Sequence, residues 1–237
     1  MLSATNKKIF VAVDKTELDA SLTLVKSIAE HIGGVKLGKE FFVAHGPRGV
    51  TSFTNLGLPV FLDLKFHDIP NTVFGAIKAS LLMHPTMLSI HASGGKRMME
   101  AAVAASKQGP AEPPLLVGVT LLTSLNGNDL AEIGLKDSSG DHVARLATLA
   151  QNSGLDGVVC SAEEVENLRD ICGKDFLLIV PGVRPNWSTA FDQKRVATPE
   201  EAFNKGADYL IIGRPITDAK NPIDAAAKIT NKLKLMP

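Results

Sequence analysis

The sequence predicts an α/β protein, and within that class a (β/α)₈ TIM barrel that residues 1–237 form as a single domain. Two observations carry this prediction. Short β-rich runs alternate with longer amphipathic segments along the chain, a pattern typical of parallel strands joined by right-handed helical crossovers. Eight such runs occur in 237 residues, and a closed barrel of eight units typically takes about 250 residues.

The predicted strands are short segments rich in branched apolar residues. They cover residues 9–14, 35–40, 59–65, 87–93, 115–123, 157–161, 176–182 and 209–217. Apolar residues at spacings of three and four predict helices between them, for example at 16–32 and at 141–154, where a glycine marks the stop. Another helix is predicted at 198–207, which opens with a threonine and two acidic residues.

An open, doubly wound sheet is the main alternative fold. Its glycine-rich turn would follow the first strand, but Asp14, Lys15 and Thr16 stand there, so the dinucleotide-binding fingerprint is absent. The connection after the fifth strand, residues 126–141, is predicted to be the least structured. A loop that moves over a site and a merely exposed connector both fit it.

Charge and hydropathy narrow the range of functions. The chain has 25 basic and 25 acidic residues and a formal net charge of zero, which predicts no nucleic acid and no membrane as partner. No segment resembles a secretory signal or reaches the roughly 20 apolar residues of a membrane span. Cys160 and Cys172 lack metal-ligand spacing and are predicted to be reduced, in a cytoplasmic protein. The histidines likewise show no pair at ligand spacing.

Three charged residues, Asp63, Lys65 and Asp68, follow the buried run of the third strand in "DLKFHD". Because residues two apart in a strand face the same way, Asp63 and Lys65 are expected to point into the barrel at its carboxyl-terminal mouth, where this fold carries its active site. A structural ion pair that closes the barrel is the alternative interpretation. Asp68 precedes Ile69 and Pro70, so an N-cap of the third helix would also explain it.

Polar residues lie near other strand ends as well. Asp14 closes the first strand, Lys36 lies at the start of the second, and Thr123 and Ser124 close the fifth. Each has a local explanation as a cap, an exposed lysine or a backbone-bonded hydroxyl. The stability of a barrel does not require them to converge, and we therefore predict a shared polar site.

The turns "PGVRP" and "GRPIT" after the seventh and eighth strands predict a phosphate site, because in this fold these loops often bind phosphate through backbone N–H groups. Gly213 permits close approach of an anion, and Arg184 and Arg214 offer guanidinium forks. Gln193 lies nine residues beyond Arg184. A plain turn is the alternative interpretation.

These segments, together with "FVAVD", "DLKFHDIPNT", "VTLLTS" and "DQKRVATP", resemble the orotidine 5′-phosphate decarboxylase family from Asp14 to Thr217. The resemblance implies a homodimer that converts orotidine 5′-monophosphate to UMP and CO₂ without cofactor or metal, the last step of de novo pyrimidine nucleotide biosynthesis. It implies that Lys65 protonates carbon 6 of the pyrimidine and that Asp63 lies beside the departing CO₂. Asp68, with Thr72, would reach the partner subunit's site.

The resemblance also implies the substrate-binding positions. Two hold the ribose hydroxyls, a Thr-Ser pair lies at the pyrimidine, and four residues grip the phosphate. Asp14 and Lys36 are the ribose positions, and Thr123 and Ser124 are the pyrimidine positions. The phosphate positions are Arg184, Gln193, Gly213 and Arg214. Ile69 and Thr72, which follow Asp68, complete the set.

Two other functions stay open at this point. Magnesium-dependent hexulose-phosphate synthases are similar in the Asp-x-Lys-x-x-Asp core, but they use a strand-two glutamate where this chain has Lys36, and a lysine there opposes a bound cation. A non-catalytic protein that binds phosphoribosyl ligands is the other alternative. Ligand binding alone would not require Asp63, Lys65 and Asp68 together.

Overall fold

Eight parallel strands close into a barrel in sequence order, from β1 to β8. They are seen in a computed structural model that describes residues 8–109, 111–187 and 197–235. All eight predicted strands and the (β/α)₈ fold are confirmed. The strands are Ile9–Val13 (β1), Gly34–Gly38 (β2), Val60–Phe66 (β3), Met87–His91 (β4), Leu115–Val119 (β5), Gly157–Val159 (β6), Leu177–Pro181 (β7) and Tyr209–Ile212 (β8).

Helices follow the strands and pack around the barrel. They are Leu18–Ile28 (α1), Lys39–Thr54 (α2), Pro70–Ser80 (α3), Lys96–Ser106 (α4), Gly127–Glu132 (α5), Ser139–Asn152 (α6), Val165–Cys172 (α7), Pro199–Asn204 (α8), Arg214–Thr217 (α9) and Pro222–Lys234 (α10). The three predicted helices correspond to α1, α6 and α8. Within the described ranges, none of these helices is long and apolar enough to cross a membrane.

Two predicted helix ends are confirmed by their backbone geometry. α6 ends at Asn152, and Gly154 follows with φ +83°, the left-handed conformation that glycine adopts at low cost. α8 begins after Thr198, whose hydroxyl accepts a hydrogen bond from the N–H of Glu201 while the Glu201 carboxylate accepts from Thr198. This reciprocal pair satisfies two N–H groups that the helix itself leaves open.

Seven of the eight predicted strands extend past the observed carboxyl end, and the predictions for β5 and β8 do so by the most residues. β8 stops at Ile212. Gly213 is the capping residue of α9, and the rest of the predicted segment, residues 214–217, forms that helix, with Pro215 within its first two positions. Proline suits that position because its missing N–H has no partner in a first turn. β5 stops at Val119, where the Thr120 hydroxyl donates to the carbonyl of Val159 at 3.0 Å and the ladder ends.

The connection 126–141 was predicted to be the least structured, and this was wrong for its first part. The side chain of Asn126 accepts hydrogen bonds from the N–H groups of Asn128 and Asp129, and the Asp129 carboxylate accepts one from the N–H of Asn126. This capping box starts α5, whose Leu130 is buried. The local signal was an Asn-x-x-Asp spacing within a polar, glycine-containing segment.

The predicted alternation of faces along β3 is confirmed. Val60 and Leu62 belong to the large apolar cluster between the barrel and its helices, with Leu64 packed against it. Phe61 belongs to a separate cluster inside the barrel, together with Phe10, Met87, Val117, Ile179 and other inward residues. These side chains fill the lower part of the barrel, so its open space lies at the carboxyl ends of the strands.

Candidate active site

A cavity of about 300 Å³ opens at the carboxyl ends of the strands. Its floor is apolar and includes Ala12, Phe61 and Ile211. Its wall contains most of the polar residues that the sequence singled out: Asp14, Lys36, Asp63, Lys65, Thr123, Arg184, Gly213 and Arg214. The strand ends therefore converge as predicted, on one concave site with an apolar base.

Two lysines and two aspartates alternate along one side of the cavity. The Lys36 ammonium lies 3.2 Å from Oδ1 of Asp14 and 3.7 Å from Oδ2 of Asp63. The Lys65 ammonium donates to the same Asp63 oxygen at 2.6 Å. Lys36 starts from the middle of β2, not from its beginning, and its side chain reaches the mouth from there. Each charge in this array has a neighbour of opposite sign.

Asp63 is the most buried member of the array, with 8% of its side chain exposed. Burial alone would raise the pKa of its carboxyl. The ammonium charges of Lys36 and Lys65, and hydrogen bonds from Lys65 and Ser89, outweigh burial and hold the pKa below its ordinary value. Asp63 is therefore a carboxylate at neutral pH. Removing one partner of such a buried charge is costly because the remaining charge stays desolvated.

The part of the cavity wall that follows β7 and β8 carries two arginines. Arg184 is buried beside β7, its Nη1 donates to the carbonyl of Val183 at 3.1 Å, and Arg214 begins α9 after β8. Gly182, with φ +77°, turns the chain between β7 and Arg184. The cavity thus has a mixed lysine–carboxylate side and a cationic side, which suits an elongated anionic ligand.

Four predicted residues do not line the cavity. Asp68, Ile69, Thr72 and Ser124 are exposed on this chain. Gln193, predicted for the phosphate, lies outside the described residues.

The interpretation of Asp68 as an N-cap is wrong. The capping position of α3 is Ile69, and no side chain caps it. Oδ1 of Asp68 instead accepts from the N–H of Ile69 at 2.7 Å, which lies before the first helical turn. Asp14, for which a cap was the local explanation, accepts from Lys36 instead. Helix capping therefore does not account for either carboxylate.

Two residues of the site were missed by the sequence reasoning. Ser89 of β4 is fully buried and donates to Oδ1 of Asp63 at 2.7 Å. Its signal was a serine in the buried strand "MLSIH", two residues after the inward-facing Met87, because a polar group there needs a partner. Gly38 ends β2, and a Cβ there would lie 3.0 Å from Nζ of Lys36 and 3.1 Å from Oδ1 of Asp14.

Two histidine rings, tilted relative to each other, lie together near Lys65 and Asp63. The ring centroids of His67 and His91 are 5.2 Å apart. Burial, and after it the nearby His67, Lys39 and Lys65, together lower the pKa of His91 from 6.5 to about 4, although Asp63 acts in the opposite direction. His91 is therefore neutral at physiological pH. Among the described residues, no three His, Cys, Asp or Glu side chains group as a metal site would require.

This pKa predicts a pH dependence of stability. Between pH 6.5 and about 4, the unfolded chain protonates His91 but the folded chain does not, so the free energy of unfolding falls as the pH is lowered through this range. A His91→Asn variant should lose less stability over the same range. Urea unfolding of both proteins at pH 7, 5.5 and 4.5 measures the difference. Parallel curves for variant and wild type would contradict the assignment.

Fold and site together define the class. This is a (β/α)₈-barrel enzyme with a lysine–carboxylate site at the carboxyl ends of its strands, the position where such barrels carry out their chemistry. Residues 7–229 match the Orotidine 5′-phosphate decarboxylase / HUMPS family, and the chain belongs to this family.

Individual relatives agree over nearly the whole chain. The orotidine 5′-phosphate decarboxylase of Rhodospirillum rubrum is 48% identical over 98% of this chain and 96% of its own length. That of Erythrobacter litoralis is 50% identical over 93% of this chain and 96% of its own. The crystal structure of orotidine 5′-phosphate decarboxylase from Lactobacillus acidophilus is 35% identical, superposes with a TM-score of 0.85, and matches 95% of this chain and 98% of that one.

Proposed function

We propose that this enzyme decarboxylates orotidine 5′-monophosphate to UMP and CO₂, the last step of de novo pyrimidine nucleotide biosynthesis, with Lys65 as the proton donor. The observation that carries the proposal is the Asp63–Lys65 pair: an ammonium held at 2.6 Å by a buried carboxylate, inside the one cavity that also contains Arg184 and Arg214. Family membership supports the reaction. The charge array supports the roles of the residues.

The reaction needs a fixed positive charge at carbon 6. When the bond between carbon 6 and the carboxylate breaks, CO₂ leaves and the electron pair stays on carbon 6, where no adjacent carbonyl delocalises it well. An ammonium aimed at this carbon stabilises the charge as it develops. Lys65 then transfers a proton from Nζ to carbon 6, which forms the C–H bond of UMP and leaves a neutral amine that solvent reprotonates.

The carboxylates keep Lys65 ready for this step. Asp63 pairs with the Lys65 ammonium at 2.6 Å and limits the positions that it can take. Lys36 and Asp14 continue the alternation of positive and negative charges toward the solvent. There they hold the ribose hydroxyls, with Lys36 donating and Asp14 accepting hydrogen bonds. Thr123 contacts the pyrimidine from the loop that follows β5. Ser124, the next residue in this loop, is the second pyrimidine contact of the proposal and is exposed on this chain.

The 5′-phosphate binds on the cationic side of the cavity. Arg184 and Arg214 pair with its oxygens, Gly213 brings its backbone close, and Gln193 contributes from the segment that follows Arg184. The phosphate lies far from the reacting carbon. Because the phosphate takes no part in the bond that breaks, its binding energy can order the site around the pyrimidine.

We further propose a cytoplasmic homodimer that needs neither metal nor cofactor. Asp68, Ile69 and Thr72 are exposed on one chain although the family resemblance assigns them to a site, which a shared site across two subunits would explain. The ammonium of Lys36 lies between two carboxylates, at 3.2 and 3.7 Å, and takes the place that a divalent cation would need between them. This argues against the magnesium-dependent alternative.

The test is a spectrophotometric assay of the purified protein with orotidine 5′-monophosphate in excess EDTA. We expect UMP to form at a rate that the chelator does not change. Turnover that EDTA abolishes and magnesium restores would contradict the metal-free mechanism. Folded protein that binds UMP without turning over substrate would favour the non-catalytic alternative, and activity on hexulose phosphates with magnesium would favour the synthases.

The contact between Gly38 and the array predicts a binding defect. Gly38→Ala places a methyl group against both Lys36 and Asp14, so their ion pair must shift, while φ of −91° suits alanine. We expect KM to rise about tenfold, the equivalent of one lost hydrogen bond to the ribose, with a smaller change in kcat. Gly140→Ala is the control, because its Cβ would meet only Oγ of Ser138, at 3.9 Å. Unchanged KM in Gly38→Ala would count against ribose binding at this place.

A further inference from the structure

The main chain of Lys65 has an unusual conformation. Its φ is +53°, and among the described residues His84 is the only other non-glycine residue with a positive φ. This left-handed conformation is unfavourable for a residue that has a Cβ, because the Cβ approaches the following carbonyl oxygen too closely. Residues held in such strain persist only where their surroundings enforce it, and they concentrate at functional sites.

The strain coincides with an irregularity in the sheet. In the pairing of β3 with β4, Leu62 lies opposite Leu88, and the next pair is Phe66 opposite Ile90. The chain therefore advances four residues in β3 while it advances two in β4. The extra residues form a bulge, and such bulges redirect side chains near active sites. Within the bulge, the N–H of Lys65 does not follow the regular ladder. It donates to the hydroxyl of Ser89 at 2.9 Å.

Ser89 uses its one hydroxyl twice. Oγ accepts from the N–H of Lys65 and donates to Oδ1 of Asp63 at 2.7 Å. Oδ2 of Asp63 in turn accepts from Nζ of Lys65 at 2.6 Å. The backbone and the side chain of Lys65 are thus joined into a closed ring through Asp63 and Ser89. The side chain of Ser89 is fully buried, so water does not replace either bond.

We propose that Ser89 is a positioning residue for the decarboxylation: it holds the Lys65 backbone in its left-handed conformation and orients the Asp63 carboxylate that aims the ammonium. This inference rests on the proposed function of Lys65. Without the hydroxyl, the partly buried N–H of Lys65 and the buried carboxylate oxygen of Asp63 both lose this partner. The bulge then relaxes, and the ammonium leaves the position that it needs at carbon 6.

The kinetic test compares Ser89→Ala with Ser89→Thr, which retains the hydroxyl. We expect Ser89→Ala to lower kcat about 100-fold, the effect of a misplacement near 1 Å, and Ser89→Thr to stay within about tenfold of wild type. The Kd for UMP, measured by calorimetry, should change less than about threefold because the phosphate and ribose contacts remain. Ser80→Ala is the matched control, since Ser80 is a buried serine whose hydroxyl donates to the carbonyl of Ala76 within α3.

The pH profile separates positioning from a general loss of structure. The Ser89 hydrogen bond lowers the pKa of Asp63, so its removal raises that pKa. The acidic limb of kcat should therefore move to higher pH in Ser89→Ala and stay in place in Ser80→Ala.

A crystal structure of Ser89→Ala gives a readout that does not depend on turnover. We expect φ of Lys65 to leave the left-handed region and Nζ to move by more than about 0.5 Å, the tolerance of a productive site. An unchanged Lys65 conformation would overturn the proposal even if wild type proved inactive toward orotidine 5′-monophosphate. So would kinetics equal to those of Ser80→Ala, or a Ser89→Thr variant as impaired as Ser89→Ala, which would assign the loss to packing.

Discussion

Lys65→Ala is expected to lower kcat by at least about 10⁴-fold while UMP still binds. In the proposed mechanism, the change removes the charge that stabilises the carbanion, which is worth about 10²–10³-fold alone. It also removes the proton that ends the reaction, which is worth about 10²–10⁴-fold alone. UMP binding should persist because the proposed phosphate contacts, Arg184 and Arg214, and the proposed ribose contacts do not involve Lys65. Single-turnover assays with orotidine 5′-monophosphate and calorimetry with UMP measure the two effects.

Two controls make this result specific. Lys228→Ala removes an exposed lysine of α10 and should leave kcat unchanged. The second control is stability, because Lys65→Ala leaves the buried Asp63 with Lys36 at 3.7 Å as its remaining ammonium neighbour. An unfolded variant would not bind UMP. Loss of turnover with retained UMP binding therefore shows that the chemical step, and not the fold, is impaired. Turnover within tenfold of wild type would refute Lys65 as the proton donor.

Asp68→Ala is expected to be nearly inactive alone, yet to regain activity when mixed with Lys65→Ala. If Asp68 serves the partner subunit's site, a mixed dimer has one site with an intact Lys65 from one chain and an intact Asp68 from the other. Random exchange of equal amounts makes half of the dimers mixed, so activity should rise to about one quarter of that of wild type. The measurement is specific activity after exchange, with exchange followed by native mass spectrometry.

The double variant Lys65→Ala/Asp68→Ala provides the opposite control. Mixed with wild type, it forms dimers in which neither site is complete, so activity per wild-type chain should fall toward zero as the double variant is added in excess. An Asp68 that acted within its own subunit would give no rescue in the first mixture and no inhibition in the second. Either result, with exchange demonstrated, would contradict the shared site.

The site was predictable where it depends on local pattern. The alternation of "PVFLDLK" placed Phe61, Asp63 and Lys65 on the inner face of β3, and that is where they lie. Period-two alternation is a property of any extended strand, so it holds before the partner strand is known. The roles of Lys65, Asp63 and the phosphate-binding residues stay predictions, as does the single domain over residues 1–237.

Local pattern was insufficient where two signals competed. "IIGRPIT" is apolar enough to continue a strand, but the chain turns at Gly213 into α9. Asp68 stands where a helix cap is expected, but the helix starts one residue later and its carboxylate accepts a bond before the first turn. Ser124 follows Thr123 in sequence, yet only Thr123 faces the cavity. In the last two cases a difference of one residue changes the direction of the side chain.

The sequence by itself determined the eight strands, the inner face of β3 and the residue types at its end, because these follow from periodicity and charge over a few neighbouring positions. Only the tertiary structure decided how Lys65 is held. Its left-handed backbone, the bulge in β3 and the contact with Ser89, 24 residues away, depend on the register between β3 and β4. Register is set by how the whole barrel closes and packs, and no local pattern encodes it.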